Sequence, residues 1–130
     1  MLNGKTGLTA SNIKYLLALN ELCKSSNEVR CVCVAEFLGV SKPSVHAMTE
    51  TLKEMKIINK DLYGLITYTE YGTALAKQYE EYSMTISRWV ETVLPYGTDI
   101  RPAVCALMSE LDSEQLNEMC CKIDEQEKNK

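Results

Sequence analysis

Histidine is nearly missing from this sequence: its 130 residues contain one, His46. A single imidazole leaves no Cys-His or Ser-His-Asp set that the chain can complete. No Gly-rich phosphate loop or Cys-x-x-Cys pair offers another chemistry. An enzyme is therefore not expected. Long apolar runs are absent too, since none approaches the roughly 18 residues that span a bilayer. The opening MLNGKTGLTA has neither the apolar core nor the cleavage site of a signal peptide. A cytoplasmic protein with no membrane partner is expected. In that compartment thiols stay reduced, so the six cysteines are read as free and not as a disulfide framework. There is no internal repeat and no low-complexity stretch.

What is present is the composition of an ordinary globular domain, 45% hydrophobic and 25% charged, long enough to bury a core. The net charge of -4 argues against indiscriminate attraction to nucleic acid, but the sign is uneven. Residues 1–77 hold nine Lys/Arg against seven Asp/Glu, and residues 78–130 hold five against eleven. Only the first part offers a face for phosphates.

The most informative stretch is Arg30 to Lys56, RCVCVAEFLGVSKPSVHAMTETLKEMK. A first helix, Glu28 to Leu38, carries Val34, Phe37 and Leu38 at helical spacing, and Gly39 stands where a left-handed C-cap is needed. After the turn Gly39-Val40-Ser41, Ser41 caps a second helix. Pro43 is tolerated in its first turn, and Val45, Met48, Leu52 and Met55 form one apolar stripe. The opposite face carries Lys42, Ser44, His46, Ala47 and Lys53. Two short helices around such a turn make a helix-turn-helix, whose second helix enters the major groove.

Upstream, Thr9 or Ser11 caps a helix with Ile13, Leu16, Leu17, Leu19 and Leu22 on one side. Downstream, Ile57–Lys60 and Leu65–Tyr68 flank Asp61-Leu62-Tyr63-Gly64 as a β-hairpin. Thr69 then caps a long helix that ends before Pro95. Helices over about 100–111 and 113–123 follow, the last opened by the capping box Asp112-Ser113-Glu114-Gln115. The fold class expected is mainly α with a small β-hairpin. A winged helix-turn-helix domain occupies 1–70, a helical dimerisation region 71–124, and a solvated tail 125–130. Spare apolar surface in the second region is assigned to a homodimer.

DNA contacts are expected from Ser41, Lys42, Pro43, Ser44, His46 and Thr49 at the start of the second helix, and from Lys53 and Lys60 toward the backbone. Cys31 and Cys33 are candidates for a thiol switch, against the plainer reading of cysteine as small apolar filler. Cys105 and Met108, one helical turn apart, could form half of a soft-metal site. Tyr79, Tyr82, Trp89 and Tyr96 could line a ligand pocket, or serve as a core or dimer seam.

AEFLGVSKPSVHAMTETLKEM, the hairpin, and Thr69-Glu70-Tyr71-Gly72 followed by Ala74-Leu75-Ala76 resemble the iron- and manganese-dependent repressors of the diphtheria toxin repressor and manganese transport regulator type. The resemblance runs from about Leu8 to Ile123. It implies a homodimeric, metal-activated repressor on a palindromic operator. The metal ligands of that family, however, fall here on Lys14, Leu17, Ser83, Cys105, Met108 and Ser109. Of these only Cys105 is a recognisable ligand, and Lys14 would bring a cation to a cation site. The expectation is that the iron/manganese site is largely lost. No cofactor is expected, although a transition metal remains possible. The arginine usual near the wing tip is also absent around Tyr63 and Gly64, and Lys56 occupies a place commonly held by glycine.

The function expected is a sequence-specific, DNA-binding transcriptional regulator, a repressor by resemblance, acting as a homodimer on double-stranded DNA. The alternatives are a protein-interaction module that has lost DNA binding, and a regulator of the multiple-antibiotic-resistance type that senses a thiol oxidant, soft metal or small ligand.

Overall fold

The computed structural model describes residues 7–26 and 28–129. Its elements run α1 (Ala10–Ser25), β1 (Val29–Arg30), α2 (Cys31–Leu38), α3 (Lys42–Glu54), β2 (Ile58–Lys60), β3 (Leu65–Tyr68), α4 (Glu70–Val93), α5 (Arg101–Glu110) and α6 (Ser113–Lys128). The chain divides into two compact units. One is Lys14–Gln78; the other takes the described residues of Met1–Ile13 together with Tyr79–Lys130.

In the Lys14–Gln78 unit, Leu16, Leu19, Val34, Val45, Leu52, Ile57 and Ile58 are each at most 1% exposed. Burial of such side chains stabilises by about 1.5–3 kcal/mol apiece before chain entropy is charged against it. Tyr68 on β3 donates to Asn20 Oδ1 at 2.7 Å, and Asn20 Nδ2 donates to the Ala76 carbonyl at 3.0 Å. One amide thus joins three elements, α1, β3 and α4.

The sheet has three antiparallel strands in the order β1-β3-β2, where the sequence suggested only the hairpin. Val29 pairs with Ile66 and Arg30 with Leu65 on one side of β3, and Lys60 pairs with Ile66 on the other. Consequently α2 begins at Cys31 and not at Glu28, because Val29 and Arg30 cover an edge of β3 that would otherwise be unpaired. Phe37, though at helical spacing with Val34 and Leu38, is 52% exposed, since the buried side of this short helix is centred on Val34 and Ala35.

α3 ends in a Schellman arrangement. Ile57 N–H donates to the Leu52 carbonyl and Lys56 N–H to that of Lys53, with Lys56 left-handed at φ 66°. A lysine there is strained, as its place in the sequence suggested. Lys56→Gly should stabilise the fold by about 1 kcal/mol. A urea melt checks this: the midpoint should rise at unchanged slope, and a fall would mean that the exposed lysine stem packs against its neighbours.

In the other unit, α6 opens with the expected capping box. Gln115 N–H donates to Asp112 Oδ1 at 2.7 Å, and Asp112 N–H donates to Gln115 Oε1 at 3.0 Å. The helix does not stop near Ile123 but continues to Lys128. Arg88 on α4 reaches Asp124 and Glu127 at 3.4 and 3.2 Å, so the turn expected to be tail is tied down. Tyr82 donates to Asn117 Oδ1 at 2.9 Å, and the Tyr79 and Tyr82 rings meet edge to face at 5.6 Å.

Candidate nucleic-acid interface

The site is built on the turn between α2 and α3. Gly39 takes φ 67°, and its N–H and that of Val40 both return to the Ala35 carbonyl, closing α2. Ser41 is extended (φ −73°, ψ 155°). Its Oγ accepts from Ser44 N–H at 3.3 Å and donates to Ser44 Oγ at 2.9 Å. The cap thereby fixes both hydroxyls in the first turn, with Pro43 beside them. Val45, Thr49 and Leu52 are buried, which turns Lys42, Pro43, Ser44, His46, Ala47 and Lys53 outward.

Thr49, one of the expected contact residues, does not face outward. It is 1% exposed, and its hydroxyl bonds to the Val45 and His46 carbonyls at 2.9 and 3.0 Å. Lying four residues after Val45 and three before Leu52, it falls on the apolar stripe, and its Oγ1 turns back on the helix to be satisfied there. It is not available to a base.

Lys60, on β2, points across to α3. Its Nζ lies 2.7 Å from Glu50 Oε2, 3.0 Å from Thr49 Oγ1 and 3.4 Å from His46 Nδ1, and its side chain is only 8% exposed. The Lys60 ammonium beside Glu50 holds that carboxyl below the usual carboxylate range. Sequence reading placed Lys60 toward the DNA backbone and missed its pairing with Glu50. The two residues are ten apart with no local pattern to couple them.

The wing turn is stitched by Asp61, whose Oδ1 accepts from Tyr63 N–H at 2.8 Å and Leu65 N–H at 2.9 Å. Gly64 completes it at φ 79°. At its tip Leu62 and Tyr63 are 98% and 82% exposed. The wing turn is joined to the start of α2 by Cys31 N–H to the Gly64 carbonyl at 3.0 Å and to β1 by Arg30 to the Tyr63 carbonyl at 3.2 Å.

Of the thiol candidates, Cys31 is half-buried with its sulfur 4.0 Å from Thr49 Oγ1, and Cys33 is half-buried as well. Cys105 and Met108 both lie inside their unit, 7% and 0% exposed. Among the described residues, no three His, Cys, Asp or Glu side chains come together as a metal-binding group. No helix among them is long and apolar enough to cross a membrane. At the positions that resemble metal ligands, Lys14 is an exposed ammonium, Met108 a buried thioether, and Ser109 a hydroxyl donating to the Ala106 carbonyl at 2.8 Å. None of these three supplies a carboxylate or an imidazole, the donors that suit a hard divalent ion.

No protein-family model matches the chain, and no curated protein matches its sequence. Solved structures do. The chain superposes on the metal-dependent transcriptional regulator MtsR with a TM-score of 0.70 at 21% identity, over 91% of this chain and 55% of that one. The manganese regulator SloR gives 0.67 at 22% identity, over 85% and 52%. The apo form of the manganese-activated repressor ScaR gives 0.60 at 22%, over 85% and 53%. This chain therefore spans about half the length of each of these three regulators. At such identities the likeness is one of fold, and the fold is the mainly helical, winged helix architecture that these regulators share.

Proposed function

We propose that the chain is a sequence-specific DNA-binding transcriptional regulator, acting as a homodimer in repression. α3 is its recognition helix and β2–β3 its wing. The observation that carries this reading is the exposed first half of α3. Lys42, Ser44, His46 and Ala47 stand outward there directly after a left-handed turn, and Lys53 lies two turns on. Hydroxyls and a helix N-terminus suit phosphate oxygens, and the side chains beyond them reach base edges. In a homodimer the two recognition helices would occupy major grooves about 34 Å apart and favour a palindrome.

Unlike the metal-dependent regulators it matches, the chain is proposed to have lost the iron/manganese site. The corresponding positions hold an ammonium, an alkyl chain, two hydroxyls, a thioether and one recognisable ligand, the Cys105 thiol, with no carboxylate or imidazole among them. A second reading, an interaction module, is favoured by one observation: the wing tip presents the exposed apolar side chains of Leu62 and Tyr63.

Selection of DNA fragments by the purified, reduced protein at about 0.1 M salt with excess chelator separates these readings, because phosphate contacts make affinity salt-dependent. Recovery of a palindromic site is expected. Recovery only after a divalent metal is added would restore a metal requirement. No recovery under either condition would favour the interaction module.

A further inference from the structure

Within the DNA-reading proposal, Glu50 is an anomaly. An acidic side chain on the DNA-facing helix, 44% exposed, should be repelled by phosphates. Lys60 removes the difficulty. An ammonium has three N–H donors, and around Lys60 Nζ stand three acceptors of this chain: Glu50 Oε2 at 2.7 Å, Thr49 Oγ1 at 3.0 Å and His46 Nδ1 at 3.4 Å. The side chain is 8% exposed, so this cation has no donor to spare for a phosphate. Its evident task is to neutralise and aim the carboxylate.

His46 is aimed by the same contact. For Nδ1 to accept from an ammonium, the imidazole must carry its proton on Nε2, which makes the exposed end of His46 a donor. Residues 46 and 50 are one helical turn apart, on the flank of α3 nearest β2. That flank therefore shows a hydrogen-bond acceptor next to a donor. In the major groove, cytosine offers the N4 amino donor and guanine the O6 and N7 acceptors.

We propose that Glu50 reads a cytosine in each half-site, with His46 donating to a guanine, and that Lys60 is a positioning residue for this pair and not a phosphate clamp. The inference rests on the DNA-reading proposal and adds the base class read.

The test is the same DNA selection repeated with Glu50→Gln, combined with the salt dependence of binding for the charge-neutral double variant Glu50→Gln/Lys60→Gln. The wild type should prefer cytosine at one position of each half-site by about tenfold or more. Glu50→Gln keeps an oxygen for Lys60 but presents an amide, and should move that position to adenine while the rest of the consensus stays. The double variant should keep the wild-type slope of log affinity against log salt. An unchanged consensus in Glu50→Gln would overturn base reading by Glu50. A slope shallower by about 0.9 in the double variant would return Lys60 to the phosphates. If the wild type selects no sequence, both this inference and the DNA-reading proposal fall. A wild-type consensus that Glu50→Gln leaves untouched removes this one alone.

Discussion

Gly72→Ala should destabilise the Lys14–Gln78 unit by about 3–5 kcal/mol, a large part of what a domain of this size possesses. Gly72 is buried in the first turn of α4, against the chain that leaves α3. A methyl group there would overlap the carbonyl oxygen of Ile57 and stand 2.8 Å from its carbon. That carbonyl cannot give way easily. It accepts from Thr69 N–H at 3.1 Å and from the Thr69 hydroxyl at 3.2 Å, and its own residue is 1% exposed. The same hydroxyl receives Gly72 N–H at 2.9 Å as the cap of α4. Space for the methyl group therefore requires breaking the junction of α3, wing and α4 together. Equilibrium urea unfolding would show the loss as a lower midpoint. A change below about 1 kcal/mol would mean that this junction is loose.

Replacing both Lys42 and Lys53 with glutamate should lower DNA affinity by about 100-fold at 0.1 M salt, and flatten the salt dependence by about two phosphate contacts. Both lysines are exposed on α3, and neither holds another element in place, so the variant should melt like the wild type. Fluorescence anisotropy against a labelled operator at several salt concentrations provides the measurement. Unchanged affinity would remove this face of α3 from the interface.

The helix-turn-helix was legible because each of its parts is a local device. Gly39 must be left-handed, Ser41 caps, Pro43 fits only a first turn, and Val45 and Leu52 repeat with the helix. The strain at Lys56 was legible only through the resemblance, in which glycine commonly holds that place. β1 was not, because two residues have no period and become a strand only when the edge of β3 is there to pair with them. Thr49 was misplaced because a hydroxyl suggests the outer face. Its position in the 3.6-residue repeat put it inside, where backbone carbonyls satisfy it. The Glu50–Lys60 pair and the anchoring of α6 by Arg88 are tertiary facts. Each joins side chains from elements whose approach no local spacing encodes.

The attachment of the wing to α2 bears on what the unit would ask of a duplex. Cys31 N–H and the Arg30 guanidinium hold the carbonyls of Gly64 and Tyr63, while Lys60 fastens the other strand of the wing to α3. With both strands tethered, the span from α3 to the wing tip is held by contacts within the fold itself. If the unit reads DNA as proposed, a fixed span would adjust little to the groove it meets. Under the DNA-reading proposal the duplex would bend or narrow to suit it, and sequences that deform cheaply would gain an advantage at base pairs no side chain touches.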